Sequence, residues 1–141
     1  MNSNTVCYCA NLGPDGALDA KAPVEVKWVN YENISNATGL PIEEGLLFIE
    51  RPVYGVDTKP GKVGGFVITV RALKKVRIAV SVGEGDSTLS ASATVNGVEG
   101  CEVLRIWVET RANLIGYPSV VHVDVYARAS DGEVVTERHL P

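Results

Sequence analysis

Cysteine is scarce in this sequence, with Cys7, Cys9 and Cys101 the three examples in 141 residues. A low and odd count excludes a disulfide framework as the basis of the fold. Cys7 and Cys9 would share one side of a strand, at the edge of the distance that a disulfide spans, and either could reach Cys101 if the fold brought them together. We favour thiols that act as small apolar side chains. A zinc site is the weaker interpretation, because only His122 and His139 could complete it.

Long apolar runs are also missing, since no segment approaches the roughly 18 residues of a transmembrane helix. The first five residues are polar and lead directly into a predicted strand, which is unlike a signal peptide. We therefore expect a cytoplasmic protein without a membrane partner. Lys and Arg total 13 against 17 Asp and Glu, and they form no basic stripe, so we expect no nucleic-acid partner.

Motifs for catalysis and cofactor binding are absent as well. The sequence contains no serine nucleophile elbow, no Walker loop, no dinucleotide fingerprint and no zinc-protease helix. We therefore expect a protein that is not an enzyme and that carries no cofactor.

What the sequence does contain is two-residue alternation of apolar and polar side chains, which is typical of half-buried strands. Apolar residues make up 45% of the chain, enough for a globular core. The alternating segments are residues 6–10, 24–28, 66–70, 76–82, 89–95, 101–109, 121–126 and 133–139. Between two of them, Asn96-Gly97 predicts a tight hairpin of type I′. About eight strands predict one all-β domain over residues 1–141, either an antiparallel sandwich or a closed barrel.

One segment follows a different period. The apolar residues Ile42, Leu46, Ile49 and Val53 recur at helical spacing, and Pro41 suits a first helical position. We predict a short helix near residues 42–51 that Pro52 ends. Gly45 and the run 46–49 also permit a strand.

His122 and Asp124 lie on the same side of a predicted strand. A histidine base oriented by a carboxylate is one interpretation, but side chains two positions apart on a strand point in parallel and seldom converge on one atom. If Ala129 pairs with Glu133, Asp124 lies opposite Arg138 on the neighbouring strand. We favour this second interpretation, an ion pair across an exposed sheet face.

Six residues are candidates for a binding surface: Trp28, Glu50, Arg51, Tyr54, Arg105 and Trp107. Glu50, Arg51 and Tyr54 could line a recognition site beside Trp28 and Tyr31. We favour the structural interpretation, in which Pro52 ends a helix and Tyr54 packs with its hydroxyl bonded to backbone. In the segment 101–109, Leu104, Ile106 and Val108 alternate with Val103, Arg105 and Trp107. An arginine and a tryptophan on one exposed strand face would suit a partner, whereas a buried tryptophan would only fill the core.

Two stretches of the chain are similar to a known domain family. The first comprises the segments 6–8, 15–16, 23–29, 49–51 and 54–56, and the second comprises the segments 121–126, 132–135 and 137–138. They resemble DUF4833, a domain family of unknown function with bacterial and protist members. The resemblance implies a compact β domain and assigns no role to any residue. Many relatives begin with an exported leader, whereas this chain begins at its first strand.

Three functions follow from these observations. The first is a non-catalytic binding or interaction module, whose surface carries a patch with some of Trp28, Tyr54, Arg105 and Trp107. The second is a carrier for a small apolar molecule, because Ala91 and Ala93 would leave space inside a barrel. The third, an enzyme that uses His122, Asp124, Glu50 and Tyr54, ranks last.

Overall fold

The strands of this chain are antiparallel and belong to two sheets. The computed structural model describes residues 4–62, 65–82 and 89–141, and these form ten strands and one short helix. The elements are β1 (Asn4–Ala10), β2 (Val24–Ile34), β3 (Pro41–Gly45), α1 (Arg51–Tyr54), β4 (Val56–Pro60), β5 (Phe66–Val70), β6 (Ile78–Val82), β7 (Leu89–Val95), β8 (Val98–Ala112), β9 (Pro118–Arg128) and β10 (Val134–His139). The all-β prediction is confirmed.

The small sheet has the order β1-β2-β3, and the large sheet has the order β10-β9-β8-β7-β6-β5-β4. Consecutive strands are therefore neighbours, as short hairpin connections dictate. Neither sheet closes on itself within the described residues, so a sandwich fits and a closed barrel does not. The hairpin from β7 to β8 turns at Asn96 and Gly97, whose φ angles of 49° and 77° are those of the predicted type I′ turn.

The apolar core lies on one face of the large sheet. Alternation along each strand directs one set of side chains inward, and these are almost fully buried: Ile68, Val70, Val80, Val95, Val123 and Val125. Tyr8 and Val24 of the small sheet pack against this face. Val121, predicted to share the side of Val123 and Val125, is only half-buried, because the ladder between β8 and β9 shifts where Glu109 pairs with His122 and Thr110 pairs with Val120.

A bulge in β8 corrects one predicted strand face. Val103 pairs with Ala127 and Arg105 pairs with Tyr126, so Leu104 is an extra residue in the ladder. Inward side chains are therefore Cys101 and Val103 before the bulge, and Ile106 and Val108 after it. Leu104 is exposed. The strict alternation that would place it beside Ile106 is wrong at this point.

The helix near residues 42–51 was also predicted wrongly. Residues Pro41–Gly45 form β3, which pairs with β2, and the ion pair from Lys27 Nζ to Glu43 Oε2 (2.6 Å) joins the two strands. The helix begins at Arg51 and lasts one turn, with Pro52 inside its start rather than at its end. Proline fits there because the first helical N–H groups have no partner within the helix. Within the described ranges, no helix has the length and apolar character needed to span a bilayer.

Candidate binding cleft between the sheets

A cleft of about 700 Å³ lies between the small sheet and the large one. Its walls are mainly apolar and include Val24, Ile68, Val80, Leu89, Val103 and Ile106. Tyr8, Trp28 and Tyr54 line it from the side of β1, β2 and α1. A volume of this size with few polar groups is typical of small-molecule sites.

The cleft exists because β7 and β8 separate. The two strands pair from Val95 with Val98 as far as Ser92 with Glu102. Beyond Glu102, β8 pairs with β9 alone among the described residues, and this pairing continues to Ala112. Every residue from 103 to 110 lines the cleft. One face of a strand would contribute only alternate residues, so the edge of β8 borders the space.

The two faces of β8 therefore serve different parts of the cleft. Val103, Ile106 and Val108 point inward and form part of its interior. Arg105 and Trp107 are on the opposite face, and both still line the cleft, so they lie at its mouth. Trp107 is 37% exposed. The cleft thus opens from the core to the outer face of the large sheet.

Hydroxyl groups connect α1 to both sides of the cleft. The Tyr8 hydroxyl donates a hydrogen bond to the carbonyl oxygen of Tyr54 at 2.8 Å. The Tyr54 hydroxyl lies 3.5 Å from Thr110 Oγ1. Burial raises the pKa of the Tyr8 hydroxyl well above its ordinary value, with a further contribution from Tyr54. Tyr8 therefore stays a neutral donor that holds α1 in place.

Glu50 supports the cleft from behind Trp28. Its Oε1 accepts hydrogen bonds from Trp28 Nε1 at 3.0 Å and from the backbone N–H of Leu47 at 2.7 Å. The Trp28 ring in turn meets the Tyr54 ring edge-on, with centroids 5.4 Å apart. Glu50 is thus already occupied in fixing the tryptophan that lines the site.

Four of the six candidate residues come together in the cleft, namely Trp28, Tyr54, Arg105 and Trp107. Glu50 lies behind Trp28. Arg51 contributes its carbonyl oxygen, which accepts hydrogen bonds from Gly55 N at 3.0 Å and Arg71 Nη1 at 3.2 Å. Its side chain is exposed and outside the cleft lining.

Sequence reasoning missed Tyr8 and Thr110, which line the cleft from β1 and β8. Their positions in the alternation predict that they face inward, but nothing in the sequence shows that they meet Tyr54. The separation of β7 from β8 was missed too. The available signal was length, because the alternation of residues 101–109 extends beyond its hairpin partner.

The outer face of β8 and β9 carries two aromatic contacts. The guanidinium carbon of Arg105 lies 4.2 Å above the centre of the Tyr126 ring. Trp107 Nε1 donates a hydrogen bond to Glu109 Oε2 at 3.0 Å. These contacts fix the two side chains at the mouth of the cleft.

The predicted pairing of Asp124 with Arg138 is confirmed. Ala129 N donates to Glu133 O at 2.8 Å, and the two-pronged ion pair has two nitrogen–oxygen distances of 2.8 Å. The predicted exposure of that pair was wrong for the carboxylate, since Asp124 is only 6% exposed while Arg138 is exposed. The hydrogen bonds from Arg138 lower the pKa of Asp124.

The substitution Asp124→Asn is expected to lower the free energy of unfolding at pH 7 by about 1 kcal/mol. The asparagine amide has the shape of the carboxylate but cannot accept the two charge-assisted hydrogen bonds from Arg138. The pKa of Asp124 is lower in the folded state than in the unfolded state. Its stabilising effect is therefore complete above the ordinary aspartate pKa and is lost as pH falls through the folded-state value. Urea unfolding of Asp124→Asn and wild type at several pH values measures this.

The difference between the two proteins should shrink from about pH 5 downward. The matched control is Asp57→Asn, because Asp57 is exposed and lies 3.3 Å from Arg71 in a looser pair. It should cost less stability at every pH. A difference for Asp124→Asn that is constant down to about pH 2 would contradict the assignment.

The residues proposed for catalysis do not share the cleft. His122 Nε2 lies 3.6 Å from Asp124 Oδ2, but neither residue lines the cleft that Tyr54 lines. In the part of the chain that the structure describes, no group of three His, Cys, Asp or Glu side chains could hold a metal ion. The three cysteines are free thiols, and only Cys101 is fully buried.

Comparison with known proteins gives a family match. No curated protein and no solved structure matches the chain significantly. The family model described as Domain of unknown function (DUF4833) matches residues 1–138, almost the whole chain. That span includes every residue of the cleft described above and both sheets except the last residue of β10, His139. The chain belongs to the DUF4833 family.

Proposed function

We propose that this chain is a non-catalytic binding protein that holds a small apolar molecule in the cleft between its sheets. The observation that carries the proposal is the cleft of about 700 Å³ with predominantly apolar walls. Burial of a ligand there would remove apolar surface on both partners from water, at roughly 25 cal/mol per Å². That is the driving force expected for a carrier.

The polar groups of the cleft support the same conclusion. Trp28 Nε1 donates to Glu50, and the Tyr8 hydroxyl donates to the Tyr54 carbonyl oxygen, so two donors are already used within the protein. The hydroxyl groups of Tyr54 and Thr110 lie 3.5 Å apart, so either could turn to a ligand. Recognition in the interior therefore depends on shape and apolar contact, with one or two hydrogen bonds to orient the ligand.

A phenylalanine at Ala91 tests the proposal directly. Ala91 lines the cleft from β7, so the larger ring would occupy ligand space. With the neutral fluorescent probe N-phenyl-1-naphthylamine, we expect wild type to bind and Ala91→Phe to raise the Kd by about tenfold or more. The matched control is Ala79→Phe, because Ala79 lies on the exposed face of β6 and should leave the Kd unchanged.

Two results would contradict this proposal: no fluorescence increase with wild type, or equal affinity for the probe in wild type and Ala91→Phe. Circular dichroism establishes that each variant is folded. If the phenylalanine variant unfolds, Ala91→Leu provides a smaller intrusion and should raise the Kd by a smaller factor. Native mass spectrometry of the purified protein adds a second readout, a retained small molecule.

A second candidate function is binding of a protein partner at the mouth of the cleft. It is favoured by one observation, the exposure of Leu104 and Trp107 beside the Arg105 side chain. Tryptophan and arginine are enriched among residues that dominate binding energy at protein interfaces. A copurifying protein that is lost with Trp107→Ala, while the fluorescent probe still binds, would support this function instead.

We also propose a cytoplasmic location, which three free thiols favour.

A further inference from the structure

We propose that the ligand of the cleft is amphipathic, with an apolar body between the sheets and a carboxylate bound by Arg105 at the mouth. This inference rests on the proposed function and specifies the class of ligand. It depends on one feature of the fold, the edge of β8 that no described strand pairs beyond Glu102, which brings an outward-facing arginine to the rim of an apolar space.

The position of Arg105 follows from the bulge in β8. Because Leu104 is the extra residue, Val103 and Ile106 face the interior on either side of Arg105, which faces out. All of them still line the cleft, since the strand edge borders it. An apolar chain lying against Val103 and Ile106 would end within reach of the guanidinium group.

The guanidinium group of Arg105 is held in place and still has hydrogen-bond donors to offer. The guanidinium carbon lies 4.2 Å from the centre of the Tyr126 ring, a cation–π contact that leaves N–H donors for conventional hydrogen bonds. Over the described ranges, no carboxylate forms an ion pair with Arg105, whereas Arg71, Arg128 and Arg138 each have a carboxylate partner. Stacking against the ring restricts the side chain, so less conformational freedom is lost when a ligand binds.

The charges at the mouth favour a single negative charge on the ligand. Among the described residues that line the cleft, Arg105 is the one cation and Glu109 the one anion, and the Glu109 carboxylate accepts a hydrogen bond from Trp107 Nε1. A planar carboxylate matches the fork of one guanidinium group with two parallel hydrogen bonds. A doubly charged phosphate would carry a second charge that Glu109 repels and that no further cation neutralises among the lining residues the structure describes.

Displacement of bound N-phenyl-1-naphthylamine by three ligands of equal chain length tests the inference. The ligands are decanoate, 1-decanol and decylamine, which share the apolar body and differ in charge. We expect wild type to bind decanoate about tenfold more tightly than decanol, and decylamine most weakly. Arg105→Gln should remove the preference for decanoate, and Arg105→Glu should reverse the order of decanoate and decylamine.

Arg111→Gln is the matched control. Arg111 lies on the same strand, is exposed and is outside the cleft lining, so its loss removes the same charge without touching the mouth. This variant should keep the preference for decanoate. Arg105→Lys keeps the charge without the planar fork and should give an intermediate preference.

The other possible results distinguish a failure of the Arg105 assignment from a failure of the proposed function. Equal binding of decanoate and decanol by wild type, or an Arg105→Gln variant that retains the preference, would disprove the role of Arg105 and leave the apolar cleft intact. If Arg111→Gln lost the preference for decanoate as fully as Arg105→Gln, the effect would be one of net charge. That result would also disprove the role of Arg105. Failure of the neutral probe and of all three ligands to bind would instead remove the proposed function itself.

Discussion

Alanine at Leu73 is expected to lower the free energy of unfolding by about 3 kcal/mol. Leu73 lies in the connection between β5 and β6, yet it is only 1% exposed and is the largest of the fully buried side chains. Backbone hydrogen bonds from its N–H to Val70 O (2.7 Å) and from Val76 N to its carbonyl oxygen (3.2 Å) fix this connection against the core. The truncation would remove apolar contacts and leave a cavity that a fixed backbone cannot close.

Urea unfolding of Leu73→Ala against wild type measures the effect. Leu114→Ala is the matched control, because Leu114 is fully exposed in the connection between β8 and β9 and should change stability by less than about 0.5 kcal/mol. A loss below about 1 kcal/mol for Leu73→Ala would contradict the tight packing of this loop.

Alanine at Gly55 is expected to cost about 2 kcal/mol and to weaken ligand binding. Gly55 follows α1 in extended backbone, with φ of −64°, so the cost is a matter of space rather than of an unusual dihedral angle. An added Cβ would lie far inside contact distance of the Arg51 carbonyl oxygen, and 3.2 Å from Arg71 Nη1. The backbone would have to move, and Tyr54, the residue before Gly55, would move with it.

Thermal or urea unfolding reports the loss of stability, and titration with N-phenyl-1-naphthylamine reports the shift of Tyr54 in the cleft. Gly45→Ala is the comparison, because a Cβ at Gly45 meets nothing within 4 Å. That variant should match wild type or be slightly more stable, since alanine restricts the unfolded chain. Unchanged stability in Gly55→Ala would show that α1 is not held as tightly as the structure indicates.

Much of the fold could be predicted from local patterns in this sequence. Two-residue alternation identified eight of the ten strands of the described residues, because each has one face in the core and one in water, and it missed β3 and β4. Asn96-Gly97 identified a hairpin because both residues accept positive φ angles. The pairing of Asp124 with Arg138 could be predicted by counting residues outward from the turn between Ala129 and Glu133, because the loop of a hairpin sets the register of its two strands.

The errors occurred where tertiary contacts decide the structure. Ile42 has helical spacing with its neighbours, but the unpaired edge of β2 takes residues Pro41–Gly45 as a third strand. Leu104 continues an apolar alternation that the ladder with β9 interrupts by one residue. The burial of Asp124 depends on neighbours from three strands, which a pattern within one strand does not contain.

The candidate site was predictable only in part. Trp28, Tyr54, Arg105 and Trp107 were chosen for their residue types, and the structure brings all four to one cleft. Their meeting depends on the point where β7 and β8 separate, which is a property of both sheets together. The length of the alternation in residues 101–109 indicates that β8 extends beyond its hairpin partner but does not show where the two strands separate, so the apolar space could be proposed from the sequence but not located.

The extra residue in β8 determines where this strand can change length during evolution. Losing Leu104 would leave Val103 and Ile106 inside and Arg105 outside, so the strand would become regular without turning any side chain over. Deletion of Trp107 would instead turn Val108 toward water and Glu109 toward the core. Loss of this one residue would therefore change the entrance of the cleft and leave its interior side chains where they are.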